Sequence, residues 1–421
     1  ETKTAAVMAP PAASAPAMAP PSKDGGKDAA KDAADATKEQ AKQAEDAAKA
    51  AEDAAKDAAR ASGSESDASA SAALHDLGAS ENPEFDHGGY PVRRGEVVAL
   101  DISPATRARA EALGFRVIAE TRLPSLASSV TRFAAPEDMT ARTARDTMRA
   151  LDTSAHFDSA HYYGLLAGVA DPVNGPAPRM SPRKPGAWRV GMIDTGVSSH
   201  AALKGTAIEA RDFSNGAGQP ATGHGTAVAS ILAREGASSI AVANIFKTSD
   251  GRPFTSPDAI ARALEWMLER DVSVINISLA GPRNDVLDTL IARVIANGRM
   301  VVAAAGNGGP SAPPAYPAAI PKVVAVTAVD SANRVYRYAN QGDYIAFAAP
   351  GVGVQAAAAQ GSIAAYSGTS FATPHVSAEL ARCLQKAGKA KGAQCVTSMQ
   401  LAARDLGAPG RDPVYGYGVI D

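Results

Sequence analysis

The strongest constraint on the fold of this 421-residue chain is a series of short apolar segments that begins at Trp188. RVGMID, SIAVANIF, VSVINISL, MVVAAAG, KVVAVTAV and YIAFAAP are strand-length, and most are continuously apolar rather than alternating. Such strands are buried on both faces, as in a parallel sheet with helices above and below it. Between them AVASILA, PDAIARALEWMLER and DVLDTLIARVIANG read as helices. In the second of these, Ile260, Leu264, Met267 and Leu268 form a core-facing stripe. The alternation predicts an α/β body with a doubly wound, mostly parallel sheet over residues 188–421.

Upstream the composition changes sharply. Residues 1–92 read as a low-complexity tail and linker: Ala, Pro, Met and Ser first, then Ala with Lys, Asp and Glu over 27–60, then a polar stretch. Ala44, Ala48, Ala51, Ala55 and Ala58 share one helical face, but an alanine stripe buries too little area for a strong coiled coil. The tract is expected to be a solvated single helix or a disordered spacer rather than a partner helix. Residues 93–165 carry a small globular pattern. GEVVALDI, FRVIAE, SSVTRFA and HFDSAHYYG suit strands, and PATRARAEALG and MTARTARDTMRALDT suit helices. In the latter Ala141, Ala144, Met148 and Leu151 share a face. The order β-α-β-β-α-β suits a small α+β, ferredoxin-like domain. The proline-rich stretch 166–187 reads as a connector.

Charge argues against several partners. Lys and Arg number 42 and Asp and Glu 44, a net charge of -2, which offers no electrostatic footprint for nucleic acid or an anionic membrane. No apolar stretch reaches the roughly 18 residues that a membrane helix needs. The first residue is Glu1 rather than Met, so a processed product that has lost its export signal is expected, secreted or held in the periplasm or cell envelope. Cys383 and Cys395 are the two cysteines. In an oxidising compartment they can close a short loop, contributing about 3 kcal/mol in the chain-entropy picture; otherwise they are unrelated thiols. His156 and His161 lack the carboxylate or cysteine pattern of a metal site, so neither a metal nor a cofactor is expected.

Four segments carry chemistry. VGMIDTG puts Asp194 at the end of a buried strand, where a carboxylate can fix the tautomer of an imidazole. GHGTAVAS puts His224 between glycines at a helix start, and AAAGNGG ends a strand in Asn307. SGTSFATPH puts Ser370 in the first turn of a helix, whose N–H groups and dipole favour a developing oxyanion. Each segment alone is commonly a turn or a cap. A single Asp-Thr-Gly does not suffice for aspartic catalysis, which needs a second carboxylate of that kind. All four in the order Asp, His, Asn, Ser, at element ends of one sheet, point to nucleophilic acyl transfer.

These segments resemble the subtilisin-like serine peptidases over roughly Trp188 to Asp421, most specifically in SGTSFATPHVSA and then in GHGT and Asp-Thr-Gly. The resemblance implies that Asp194 orients, His224 is general base then acid, and Ser370 is the nucleophile. It implies that Asn307 supplies the oxyanion-hole amide together with the Ser370 N–H. VINISLAG resembles the substrate-binding strand, so Ser278, Leu279, Ala280 and Gly281 are expected to pair with peptide. Ala304, Ala305 and Gly306 are expected to wall a primary pocket with room for a bulky apolar residue. His375 is expected to pack rather than catalyse.

Two departures stand out. No acidic or Asn-rich insertion follows the His224 helix, so no tight calcium loop is expected there. The chain also stops soon after YGYGVID, without the closing helix of many relatives. The 93–165 domain stands where the family has its propeptide, which implies an intramolecular chaperone and inhibitor, cut within 160–188; otherwise it is a permanent accessory domain. The expected function is a serine endopeptidase acting on protein or peptide substrates. The rival is a catalytically silent, permanently capped binding module of the cell envelope.

Overall fold

The computed structural model describes residues 83–165, 183–214, 222–249, 252–358 and 361–420. The Ala-rich tract and most of the connector lie outside the described residues.

The N-terminal unit runs β1 (Glu84–Phe85), β2 (Pro91–Leu100), α1 (Pro104–Ala112), β3 (Arg116–Leu123), β4 (Ser128–Ala134), α2 (Ala141–Leu151) and β5 (His156–His161). A further short strand, β6 (Tyr163–Leu165), leaves this sheet. The antiparallel order is β3-β4-β2-β5, with β1 on the start of β2, which is the split arrangement of a ferredoxin-like fold. Both helices begin on hydroxyl caps: Ser103 accepts the Thr106 N–H and Thr140 accepts the Thr143 N–H. Residues 84–92, expected as linker, pair instead, because the Asp86 carboxylate accepts the N–H groups of Gly88 and Tyr90 and turns the chain.

Alternate residues of β2 meet different neighbours. Val97 and Ala99 join Phe115, Phe133, Ala144 and Met148 in a core beneath the two helices. Val98 and Leu100 belong to the core of the C-terminal body. That is why VVAL is apolar at every position: the unit's own helices cover one face of the sheet, and the rest of the chain covers the other.

The C-terminal body begins with β7 (Arg189–Asp194), β8 (Ala207–Asp212), α3 (Gly223–Arg234) and β9 (Ser239–Asn244). The hairpin β10 (Lys247–Ser249) and β11 (Arg252–Thr255) leads to α4 (Pro257–Glu269), β12 (Val274–Ile277), β13 (Leu279–Ala280), α5 (Asp285–Ala296) and β14 (Met300–Ala304). Then come β15 (Val324–Val329), β16 (Ile345–Pro350), the hairpin β17 (Val354–Ala357) and β18 (Ile363–Tyr366), α6 (Thr369–Ala387) and α7 (Gly392–Ala402).

Seven strands form one parallel sheet in the order β16-β15-β14-β12-β7-β9-β8. All six apolar segments enter it. The seventh strand, β8, has the sequence AIEARD and is largely exposed at the edge, so it carries no apolar signal. Helices α4 and α5 pack together on one side, and α3 and α6 on the other. The order reverses at β7, with β9 and β8 to one side and the later strands to the other. In open α/β sheets the crevice at the carboxyl ends of strands flanking such a reversal is where ligands bind. Helix α7, also not expected, carries Cys395, which is disulfide-bonded to Cys383 of α6.

Behind the sheet, Glu235 ends α3 as a buried charge. Its carboxylate accepts from His375 Nδ1 at 2.8 Å and meets Arg183 Nε at 3.2 Å and Arg382 Nη1 at 3.3 Å. Burial alone raises its pKa, but the bond from His375 and the charges of His375, Arg183 and Arg382 outweigh burial and hold it at about 2. His375 is therefore a packing and charge partner of α3. Because the folded value lies below the ordinary 4.5, the stabilisation is present above pH 4.5 and is lost as pH falls toward 2. Glu235→Gln is expected to lower stability by on the order of 3 kcal/mol at neutral pH, and to flatten the fall of Tm between these pH values. Thermal melts from pH 7 to 2 check this; parallel curves for the two proteins would contradict it.

Candidate active site

Asp194 ends β7 at the reversal point of the sheet and has no exposed surface. Its Oδ1 accepts the Thr195 N–H at 2.6 Å and lies 2.8 Å from His224 Nδ1. A carboxylate is acceptor-only, so His224 donates from Nδ1, and Nε2 is the imidazole's acceptor. That nitrogen is buried and makes no hydrogen bond among the described residues. Helix α3 presents His224 in its first turn because Gly225 lets the helix approach β7. A Cβ on Gly225 would stand 2.4 Å from the Thr195 carbonyl oxygen, and the Gly225 N–H donates to Thr195 Oγ1 at 2.7 Å. Thr195 thus holds the Asp194 carboxylate through its N–H and ties the strand end to the helix start through its hydroxyl.

Ser370 lies in the first turn of α6, fully buried, and three neighbours locate it. The next residue, Phe371, puts its ring 5.2 Å from the His224 ring, centre to centre. The preceding residue, Thr369, donates from its N–H and its Oγ1 to Asn307 Oδ1, both at 3.0 Å. Ser278 Oγ lies 3.5 Å from the Ser370 carbonyl oxygen. That carbonyl is the one whose helical partner would be the N–H that Pro374 lacks, so a proline inside α6 falls where a side chain stands by. A backbone N–H can only donate, so the end of Asn307 facing Thr369 is its oxygen, and its NH2 points elsewhere. Asn307, Ser370, His224 and Asp194 are thereby drawn to one end of the sheet.

The expected substrate-binding residues divide. Strand β6 lies between β13 and β11 in a separate sheet of order β10-β11-β6-β13. Leu165 pairs with Leu279 and Gly164 with Ala280 on one side, while Gly164 pairs with Phe254 and Tyr163 with Thr255 on the other. The chain's own extended segment thus fills the edge expected for peptide and runs toward Ser278. Gly281 does not pair with it: its N–H and C=O bond to Tyr316 at 3.0 and 3.1 Å. Ala304 and Ala305 are buried, with the Ala305 carbonyl accepting from the Tyr344 hydroxyl at 2.8 Å. The Gly306 N–H lies 3.3 Å from Thr369 Oγ1.

The N-terminal unit also grips the starts of α4 and α5. Asp158 Oδ2 accepts the Asp285 N–H at 2.9 Å, and Arg149 bonds Asp285 at 2.6 Å. Asn284 Oδ1 accepts the Val286 and Leu287 N–H groups, so its NH2 faces the Ser159 carbonyl and His161 Nδ1, at 3.1 and 3.0 Å. His161 therefore accepts at Nδ1 and donates from Nε2 to Asp86, 3.0 Å away. It is a buried link, and no cluster of potential metal ligands occurs among the described residues. Thr369, Phe371 and the β11 wall were not singled out from the sequence. Thr369 and Phe371 flank the nucleophile candidate inside SGTSFATPH, whereas Phe254 and Thr255 carry no local signal.

The fold and this site define an α/β protein with an acid–imidazole pair, a buried serine and an anchored amide at the switch point of its sheet. A profile of the subtilase family matches residues 187–418, and the chain belongs to that family. It is 34% identical over 248 residues to subtilisin of Bacillus pumilus, a match covering 55% of this chain and 88% of that protein. It is 31% identical over 241 residues to the minor extracellular protease Epr of Bacillus subtilis, covering 55% of this chain and 37% of that one. Among solved structures it is similar to fervidolysin from Fervidobacterium pennivorans, a keratinolytic enzyme related to subtilisin. That TM-score is 0.64 at 21% identity, over 80% of this chain and 61% of the other. The chain thus spans well under half the length of Epr and somewhat under two thirds of fervidolysin. The fold likeness reaches further along this chain than the sequence likeness does.

Proposed function

We propose that this chain is a serine endopeptidase whose triad is Asp194, His224 and Ser370. The observation that carries the reading is the 2.8 Å bond between Asp194 Oδ1 and His224 Nδ1. It sets the imidazole in the tautomer that a general base needs, on a helix whose neighbour presents a buried serine. Ser370 Oγ attacks the peptide carbonyl carbon while His224 Nε2 takes its proton. The oxyanion accepts from Asn307 Nδ2 and the Ser370 N–H. Collapse breaks the C–N bond, and His224 returns the proton to the leaving amine. Water, deprotonated by His224, then attacks the ester, releases the acid and restores Ser370.

The N-terminal unit acts in this reading as an intramolecular inhibitor and folding aid, supported by β6 lying where an extended substrate would lie. Export to an oxidising compartment is supported by the Cys383–Cys395 bond, and one relative is named as an extracellular protease. Among the described residues no helix is long and apolar enough to cross a membrane.

Three outcomes are expected. A fluorophosphonate probe labels the wild type at Ser370 and leaves Ser370→Ala untouched; no labelling, even after removal of residues 1–165, would favour the binding-module reading. Asn307→Ala lowers kcat by on the order of a hundredfold with little change in KM; unchanged turnover would remove Asn307 from the oxyanion hole. On incubation the wild type acquires a new N-terminus beyond Leu165, found by intact mass and N-terminal sequencing, while Ser370→Ala stays whole. An active preparation that remains uncut would make the N-terminal unit a permanent accessory domain.

A further inference from the structure

Asn307 stands between two glycines, Gly306 and Gly308, so the stretch of chain that carries it has little stiffness of its own. The ends of that stretch are anchored: the Ala305 N–H donates to the Val326 carbonyl at 2.9 Å, and the Gly309 N–H to the Tyr338 carbonyl at 2.8 Å. Between these anchors one buried residue, Asn340, meets both glycines. Its N–H donates to the Gly306 carbonyl at 3.1 Å, and its Oδ1 accepts the Gly308 N–H at 2.7 Å. Its NH2 donates to the Pro313 carbonyl at 3.0 Å, which fixes the way the amide faces. The side chain also fills the space over Gly306, where a Cβ would lie 2.7 Å from Asn340 Cγ. With 3% of its surface exposed, Asn340 makes these bonds out of reach of bulk water.

We infer that Asn340 is a positioning residue of the oxyanion hole: by holding the glycines on either side of Asn307, it presets the Nδ2 of that amide for the oxyanion. The inference rests on the peptidase reading above and adds to it a residue that acts through Asn307 rather than on the reacting atoms. An oxyanion donor works by preorganisation, lowering the barrier to the extent that it is aimed before charge develops. Thr369 fixes the oxygen of the Asn307 amide, but the backbone beneath that side chain could still swing on two glycines. Asn340 removes the swing. Alanine in its place takes away the acceptor of the Gly308 N–H and the donor to the Pro313 carbonyl, and it opens a void over Gly306. The loop then gains arrangements in which Nδ2 is aimed elsewhere.

Two measurements test this independently. With an internally quenched peptide that the wild type cleaves, Asn340→Ala should lower kcat about tenfold with little change in KM. In the Asn307→Ala background the same substitution should cost nothing further, because its effect passes through that amide. In the full chain carrying Ser370→Ala, adding Asn340→Ala should speed amide exchange at Gly308 about tenfold and leave β12 unchanged, which separates a freed loop from a loosened fold. Asn340→Asp keeps an acceptor for Gly308; it should lose less on both readouts, and it serves the same cycle if Asn340→Ala does not fold. A kcat equal to that of the wild type, a loss that persists undiminished in the Asn307→Ala background, or unchanged exchange at Gly308 would overturn the inference. A wild type that cuts no peptide, while Gly308 exchange still responds to Asn340→Ala, would end the peptidase reading and reduce Asn340 to a clamp of the loop.

Discussion

A carboxylate without exposed surface at the end of a central strand is the constraint around which this molecule is arranged. Burying a charge without partners costs several kcal/mol, so Asp194 must be met by donors. One comes from the next residue, Thr195, and the other from His224, thirty positions away. Meeting the second brings the start of α3 against the end of β7, which a residue larger than Gly225 would prevent. The far end of α3 then fastens to α6 through Glu235, His375 and Arg382. Charge satisfaction at the two ends of α3 thus sets where the first turn of α6, with Ser370, can lie.

The N-terminal unit follows from a different pressure. Its sheet is apolar on both faces, and one face has no helix of its own unit to cover it. Packing that face on α4 and α5 removes the exposed surface, and polar groups set the register. Asp158 meets the start of α5, while Glu265 of α4 accepts the N–H groups of Ser125 and Leu126. With the sheet so placed, the chain leaving β5 arrives between β11 and β13. The pairing of β6 with both strands is therefore a consequence of how the sheet is covered rather than a separate contact.

Much of this is written locally. Continuous apolar runs announced six of the seven strands, because a strand covered on both faces needs no polar residue. The edge strand β8 escaped because an exposed strand needs no apolar one. The N-terminal β-α-β-β-α-β order was legible from alternation and caps, but β1 was not, since two residues held by an Asp86 turn make no pattern. Asp194, His224, Asn307 and Ser370 could be singled out as candidates because each sits in a short motif at the end of a strand or the start of a helix.

What the sequence determined by itself is the type and position of each chemical group: strand-end Asp194, helix-start His224 and Ser370, and a glycine-flanked Asn307. These depend on propensities and turns within a few residues. Only the tertiary structure decided what each group faces. Which end of the Asn307 amide is anchored depends on Thr369, 62 positions away, and the seating of Tyr163 depends on Pro282, 119 positions away. Hydrogen bonds of that span are set by how sheets and helices stack, and no local pattern of residues encodes their direction.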